Sequence, residues 1–180
     1  HILLSVREGP LFASSANTSN FGSRSTGQER FGWTGNLNDP LGVGDQLTFS
    51  ATAAEGLALG QFNYRYPLGP SGLAADLSVS QMEYEVINSD GPSELDGSSA
   101  TQGAGLSYPW IRSQGTNVTV GLDYTQDALE DQIDGATYSD KTVTNFGPSL
   151  RGDHTDQVFG PAGRTNFSLS PLWGEVYLPA

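Results

Sequence analysis

Residues 31–37 read Phe-Gly-Trp-Thr-Gly-Asn-Leu, and this stretch decides the fold class. Phe31, Trp33 and Leu37 fall on one side if successive side chains point in opposite directions, whereas Thr34 and Asn36 fall on the other. A period of two residues is that of a β-strand, because strand side chains alternate between the two faces of a sheet. The stretch therefore predicts a strand with one apolar, aromatic face and one small, polar face.

The same alternation recurs along most of the chain. Residues 46–54, 61–66, 118–125 and 166–170 each place apolar or aromatic side chains at every second position. The chain also has 23 glycines and ten prolines, which punctuate it too often for long helices. About nine such strands fit in the chain, and strands joined by short turns pair antiparallel. The sequence therefore predicts an all-β fold, an antiparallel up-and-down meander.

Two architectures produce this alternation: a soluble sandwich with apolar side chains inside, and a transmembrane β-barrel with apolar side chains outside. The face opposite the aromatic one is mostly Gly, Ser, Thr, Asn and Gln, which is typical of a barrel lumen and unusual for the water-facing side of a soluble sheet. Aromatic residues at the strand ends, Tyr66, Tyr108, Trp110 and Trp173, suit the two membrane interfaces. We therefore expect a transmembrane β-barrel, partial or open. Lipid would then cover one continuous exposed face of aromatic and apolar side chains: Phe31, Trp33, Phe49, Phe62, Tyr64, Val118, Val120 and Tyr124.

Composition argues against several classes of function. The chain has 20 acidic and 8 basic residues, a net charge of −12, so it offers little cationic surface for nucleic acid. It has no cysteine, which removes disulfides, thiolate metal sites and cysteine nucleophiles. It begins at His1 without an initiator Met, and it contains no apolar run long enough for a membrane helix.

The connections between predicted strands differ in kind. Residues 38–45, 67–72 and 109–115 are compact and rich in Gly and Pro, whereas residues 87–98 and 129–135 are more polar. Since antiparallel neighbours alternate ends, we expect the three compact turns at one end of the sheet and residues 87–98 at the other. Outer-membrane barrels show this asymmetry, with short periplasmic turns and longer outer loops.

The ordered turn motifs resemble one family, the haemolysin secretion/activation proteins of the ShlB/FhaC/HecB type, which act in two-partner secretion. An Asn20-Phe21-Gly22 loop leads to a turn of the form N-x-P-x-G-x-G-D, and Tyr-Pro pairs mark the next two turns. The turn residues that carry the likeness are Asn38, Pro40, Gly42, Gly44, Asp45, Tyr66, Pro67, Gly72, Tyr108 and Pro109. These types shape tight turns, because Pro fixes φ, Gly accepts positive φ and Asp caps backbone amides.

The resemblance implies a function. The chain would be the first half of an outer-membrane pore domain that secretes and activates a large exoprotein. Its partners would be that exoprotein and outer-membrane lipid, without nucleic acid, and the full-length protein would be monomeric. The family implies no enzymatic activity, no cofactor and no metal.

The chain also departs from the family pattern. We expect residues 1–9 to be a linker remnant and residues 10–180 a partial barrel domain, without the periplasmic substrate-docking (POTRA) domains that precede the barrel in the family. The family's V-R-G-aromatic loop motif has no counterpart, since the only Arg-Gly here is Arg151-Gly152, followed by Asp. About nine strands are close to half of the family's barrel, so residues 10–19 and 164–178 should form the two unpaired edges of an open sheet.

A few other residues could bind a metal or take part in catalysis. His1 and His154 could form a copper site, and the cluster Asp127, Glu130, Asp131 and Asp134 could bind calcium, but a turn histidine and a solvated outer loop are the expected alternatives. Glu83 and Glu85 lie two apart without further marks of a sugar site, so we expect them to face the lumen or to lie close to a loop. Residues 151–153 match an adhesion tripeptide, which we interpret as a turn. Besides the pore, a secreted β-sandwich that binds carbohydrate or a surface partner and a His1-dependent oxidase stay open as alternatives.

Overall fold

The computed structural model describes residues 9–87, 94–156 and 163–178, and within them all regular structure is β-strand. No helix among these residues is long and apolar enough to cross a membrane. The strands are β1 (Phe12–Ser19), β2 (Arg30–Asn38), β3 (Gln46–Ala54), β4 (Leu57–Pro67), β5 (Ala74–Glu85), β6 (Leu95–Arg112), β7 (Thr116–Ile133), β8 (Ala136–Asp156), β9 (Gly163–Leu169) and β10 (Trp173–Tyr177). The predicted linker at residues 1–9 lies outside the described residues except for Gly9.

Each strand pairs antiparallel with the next, in the order β1 to β8. Both β9 and β10 pair with the far edge of β8, where Leu169 lies opposite Leu150 and Trp173 opposite Phe146. The register is therefore the same on both sides of the break, and Pro171 falls opposite Pro148. Proline has no N–H to donate, so the ladder is interrupted there. In effect β9 and β10 are one strand, which makes the sheet the nine-stranded meander that the sequence predicts.

The sheet sorts its side chains into two faces. Cross-strand partners share a face, and the rows Gly35–Phe49–Phe62–Val79 and Leu106–Leu122–Pro148 join the aromatic and aliphatic positions of neighbouring strands. Every residue of the predicted aromatic set lies on this face, which we call the apolar face: Phe31, Trp33, Phe49, Phe62, Tyr64, Val118, Val120 and Tyr124.

The apolar face has no second layer of protein over it among the described residues. Phe31 is 50 % exposed and Val79 53 % exposed, and Ala74 and Val118 are the only buried hydrophobic residues in this part of the chain. Val118, which we expected to be exposed, is instead 8 % exposed. It lies between its cross-strand partners Ile111 and Gly152, and the ring of Phe167 covers that glycine. A single sheet without an internal core does not fit the soluble sandwich.

The connections alternate between the two ends, as predicted. The turns at residues 39–45, 68–73 and 113–115 lie at one end, which we call the turn end. Residues 20–29 connect β1 and β2 at the opposite, loop end, where β5 also ends at Glu85 and β6 begins at Leu95.

Two expectations about the loop end are wrong. Residues 129–133 belong to β7 and residues 95–98 to β6, so neither segment is a loop. The β7–β8 connection is only Asp134-Gly135, with φ of 52° and 74°. Two successive positive φ values give the tight hairpin turn whose twist matches that of paired strands, so the strands continue to the Asp-Gly pair.

The sheet is open in the described residues. β1 pairs with β2, and β9 and β10 pair with β8, but the first and last strands do not pair with each other. The prediction that residues 10–19 and 164–178 contain the edge strands is therefore confirmed.

The two faces predict opposite responses to a charge. Leu77→Arg on the apolar face should destabilise the folded full-length protein in lipid by about 2–4 kcal/mol, because the guanidinium would lie in hydrocarbon. Ser78→Arg on the other face should be near neutral, because that side chain faces water. Unfolding of both variants by guanidinium chloride in vesicles measures the difference. Equal losses in the free energy of unfolding would contradict the assignment of faces.

Candidate functional site

The face opposite the apolar one is lined by small polar side chains, and we call it the polar face. One row runs from β2 to β10 without a charge. It consists of Asn36, Thr48, Asn63, Ser78, Gly103, Thr125, Asn145 and Gly174. Thr48 donates a hydrogen bond to Asn36 Oδ1 at 2.8 Å, so neighbouring members of the row satisfy each other. This surface is hydrophilic without binding any one group strongly.

The adjacent row, nearer the turn end, carries charges. Arg65 Nη1 lies 2.8 Å from Asp76 Oδ1, and the Ser107 hydroxyl donates to the other carboxylate oxygen at 3.0 Å. Both charged side chains are about half exposed, so the pair contributes at most about 1 kcal/mol to stability. Asp123 belongs to the same row two strands further on, and Gly105 lies between it and Asp76. The row therefore orients charges at a wet surface rather than holding a core together.

The curvature of the sheet makes a hollow of about 480 Å³ on this face. Polar side chains from β3 to β8 surround it, among them Thr48, Asn63, Arg65, Asp76, Asp123 and Arg151. Two carboxylates, Asp76 and Asp123, lie between two guanidinium groups, Arg65 and Arg151, without a nucleophile beside a general base. The arrangement can hydrate and orient an extended polypeptide, and it does not assemble groups for bond-making chemistry.

The predicted acidic cluster does not converge. Asp127 accepts a hydrogen bond from Thr101 at 2.7 Å and Asp131 accepts one from Tyr84 at 2.6 Å, while Glu130 points to the other face and accepts from Thr137. These three residues are in β7 and not in a loop. No group of three or more acidic or histidine side chains in the described part of the chain could hold a metal.

The other sequence candidates also lie in strands. His154 and residues 151–153 are in β8 and not in turns, and His154 Nδ1 is 2.8 Å from Thr116 Oγ1. His1 lies outside the described residues. The side chains of Glu83 and Glu85 point to the apolar face, near the loop end of β5. Of the two expected positions for these carboxylates, facing the lumen or beside a loop, the structure shows the second.

The most enclosed charged residue of the described chain is Asp45, whose side chain is fully buried. Its carboxylate accepts hydrogen bonds from the Leu41 N–H at 3.1 Å and from the Tyr64 hydroxyl at 2.8 Å. Burial raises the pKa of the Asp45 carboxyl, but the hydrogen bonds from Tyr64, Leu41 and Val43 outweigh it, and the net pKa lies below its usual value. Asp45 therefore stays ionised and holds the β2–β3 turn to β4.

Two glycines of the turn end pack against a proline of the next hairpin. Gly44 faces the Pro67 ring, where an added Cβ would lie 3.9 Å from Cγ. Gly72, with φ of 87°, faces the Pro109 ring, where an added Cβ would lie 2.8 Å from Cγ. Each proline therefore sits beside the turn before it.

The remaining turn candidates differ in position. Asn38 ends β2 and its side-chain amide donates to the Pro10 carbonyl, while Gly42 has φ of 73° inside the turn. Tyr66 and Pro67 close β4. Tyr108 and Pro109 lie within β6, which continues to Arg112 past a register shift between Pro109 and Ile111. The strand continues past Pro109 because the shift absorbs the missing N–H.

A family model matches residues 1–170, and its description is haemolysin secretion/activation protein ShlB/FhaC/HecB. The chain belongs to this family. No match was found among curated proteins. Family membership confirms the outer-membrane β-barrel fold class and the outer-membrane location that the sequence predicts.

Solved structures agree with the fold. CdiB from Escherichia coli is similar with a TM-score of 0.77 and 19% identity, over 96% of this chain and 32% of that one. CdiB from Acinetobacter baumannii gives a TM-score of 0.66 and 15% identity, over 92% and 31%. BamA from Haemophilus ducreyi lacking POTRA domains 1–3 gives 0.52 and 12%, over 92% and 35%. The chain thus spans about a third of the length of these solved proteins.

Sequence reasoning named most of the turn residues but missed Tyr64 as the partner of Asp45. It also missed that the Pro109 ring packs against Gly72 of the preceding turn. Tyr64 pairs with Leu47 at the start of β3, which brings its hydroxyl to the Asp45 carboxylate. Neither contact is local in sequence, so only the register of the strands reveals them.

Replacing Asp45 should change the pH dependence of stability. A lowered folded-state pKa stabilises the fold above the unfolded value of 3.8, and this stabilisation is lost as pH falls through the folded pKa. The gap in unfolding free energy between the full-length protein and Asp45→Asn should therefore be constant from pH 7 to pH 5 and narrow below 3.8. Denaturant unfolding in detergent at several pH values measures it, and a gap independent of pH down to the acid limit would contradict the assignment.

The Gly72–Pro109 contact can be isolated with a matched glycine. Gly69 and Gly72 both have φ of 87°, but an added Cβ at Gly69 meets nothing within 4 Å. Gly69→Ala and Gly72→Ala share the backbone strain, so Gly72→Ala should destabilise further by about 1–3 kcal/mol through the forced shift of Pro109. Equal unfolding midpoints for the two variants would show that the contact contributes nothing.

Proposed function

We propose that this sheet is part of the wall of an outer-membrane pore through which a large exoprotein is secreted and activated. The observation that carries the proposal is the uncharged row of the polar face, which runs across the sheet from Asn36 in β2 to Gly174 in β10. An unfolded polypeptide offers amides and mixed side chains along its length. A surface of Ser, Thr, Asn and Gly can hydrate such a chain without trapping any one residue.

The proposal assigns the partners by face. The polar face meets the exoprotein, and outer-membrane lipid covers the apolar face, whose large side chains are exposed in this single sheet. Family membership supports a secreted protein as partner. We further propose that the full-length protein works as a monomer, that residues 10–180 belong to the barrel domain and residues 1–9 to a linker, and that it needs no cofactor.

Two other functions find less support. A soluble binding module requires its aromatic residues beneath a second layer, whereas Phe31, Trp33 and Phe62 are exposed on one sheet. An enzyme requires converging reactive groups, whereas the hollow of the polar face combines ion pairs and hydrogen-bonded hydroxyls. The haemolysin secretion/activation family is a secretion family, which agrees with a role in transport.

Site-specific cross-linking tests the proposal. The chain has no cysteine, so single cysteines at Thr48 and Ser78 would be unique reactive sites in this region. We expect both to cross-link to an exoprotein stalled during export through the full-length protein in cells, because both lie on the polar face. The adducts would be detected as a mobility shift that reacts with antibody against the exoprotein.

The neighbouring residues provide the control. Phe49 and Val79 each follow a test position by one residue and point to the opposite face. Cysteines there should not cross-link to the exoprotein and should instead be shielded from water-soluble maleimides by lipid. Adducts from both faces, or from neither, would refute the proposed path along this wall.

A further inference from the structure

The β2–β3 turn carries two exposed apolar side chains at the turn end of the sheet. Leu41 is 65 % exposed and Val43 49 % exposed, within a segment, residues 39–45, that has no basic residue. A turn that met only water would gain nothing from these side chains. A scattered exposed apolar residue is normal, so the exposure by itself identifies no partner.

The backbone of the turn is the second observation. Residues 39–45 have six N–H groups, because Pro40 has none, and four of them are bound inside the turn. The Asp39 N–H donates to the Asp45 carbonyl at 2.6 Å, and the Gly42 N–H to the Asp39 carbonyl at 3.2 Å. The Gly44 N–H donates to Asp39 Oδ1 at 2.5 Å, and the Leu41 N–H donates to Asp45 Oδ1 at 3.1 Å. Most donors of this turn therefore have a partner other than water.

The next turn is different. In residues 68–73, Leu68 donates to the Leu73 carbonyl and Leu73 to the Ser71 hydroxyl. The N–H groups of Gly69, Ser71 and Gly72 donate to no atom in the described part of the chain. Those donors require water, so this turn must stay hydrated.

The direction of the β2–β3 turn is the third observation. Asp45 lies two residues before Leu47, so its side chain points to the same face of the sheet. Its carboxylate meets the hydroxyl of Tyr64, which belongs to the apolar face. The turn therefore leans toward the side of the sheet that lipid covers, and its apolar tip continues the lipid-facing surface beyond the strand ends.

We propose that the β2–β3 turn is a membrane-interface anchor, in which Leu41 and Val43 insert into the phospholipid leaflet at the turn end of the sheet. Apolar side chains at such a depth lie about 5–10 Å into the boundary between headgroups and acyl chains. A backbone with most of its N–H groups bound internally enters that layer at a lower cost of stripping water from free donors than a turn such as residues 68–73. The proposal rests on the outer-membrane location of the sheet and not on transport, so either can fail without the other.

Fluorescence quenching in vesicles tests the anchor. Single cysteines replacing Leu41, Val43 or Ser71 in the full-length protein, with any cysteine elsewhere removed, would carry an environment-sensitive nitrobenzoxadiazole label. The labelled protein would be reconstituted in phospholipid vesicles, and folding would be checked by the heat-dependent shift in gel migration. Phospholipids brominated near the headgroup end of the acyl chain report contact with lipid, and aqueous iodide reports contact with water.

We expect the labels at positions 41 and 43 to show blue-shifted emission, quenching by brominated lipid and protection from iodide. The label at position 71 should show the reverse, because its turn leaves donors to water. Iodide quenching at positions 41 and 43 as strong as at 71 would overturn the proposal. Protection from both quenchers would also overturn it, because another part of the protein would then cover the turn. If a labelled variant does not fold, Leu41→Trp, read with the same lipid quencher against Leu41→Ala, gives the same decision.

Discussion

Hydrocarbon has no hydrogen bonds to offer, and this one constraint governs the rest of the structure. Each backbone N–H and C=O inside the membrane must find a partner in the protein, and an antiparallel ladder between consecutive strands provides one for almost every residue. The pairing of β7 with β8 runs from Thr116 opposite His154 to Ile133 opposite Ala136. Where the ladder fails, opposite Pro148, the residue that falls across from it is also a proline, so neither position has an N–H to leave unpaired.

Once the ladder is set, register decides the chemistry of each face. A slip of one residue would exchange the aromatic face with the polar face, so the strands must be aligned closely wherever lipid meets one side and water the other. The turn end provides that alignment through contacts between hairpins. Asp45 binds the hydroxyl of Tyr64 one strand away, and Gly72 accepts the ring of Pro109 from the following strand. These contacts join each hairpin to the next, in addition to the backbone ladder.

The polar face shows how a pore wall differs from a binding site. Its carboxylates at Asp76, Asp127 and Asp131 are each engaged by a neighbouring hydroxyl or guanidinium. These charges are spread along the face, and each has its own hydrogen-bond partner. They therefore create a hydrated surface without a single strong binding point. The same sheet therefore has an apolar face on one side and a hydrated face on the other, with no reactive cluster among the described residues.

The sequence by itself determined the strands, their alternation and the compact turns, because these depend on neighbours within a few residues. Residues 46–54 were predicted as a strand with the bounds that β3 has, and the aromatic set all lies on one face. The lengths of β6 and β7 were underestimated, because polar residues such as Glu130 and Asp131 looked like a loop, whereas β7 continues through both of them to Ile133. Only the tertiary structure decided the burial of Asp45, the Gly72–Pro109 contact and the common strand formed by β9 and β10. Each of these depends on which residues the register brings together, and pairing between strands is not encoded in the local pattern of either one.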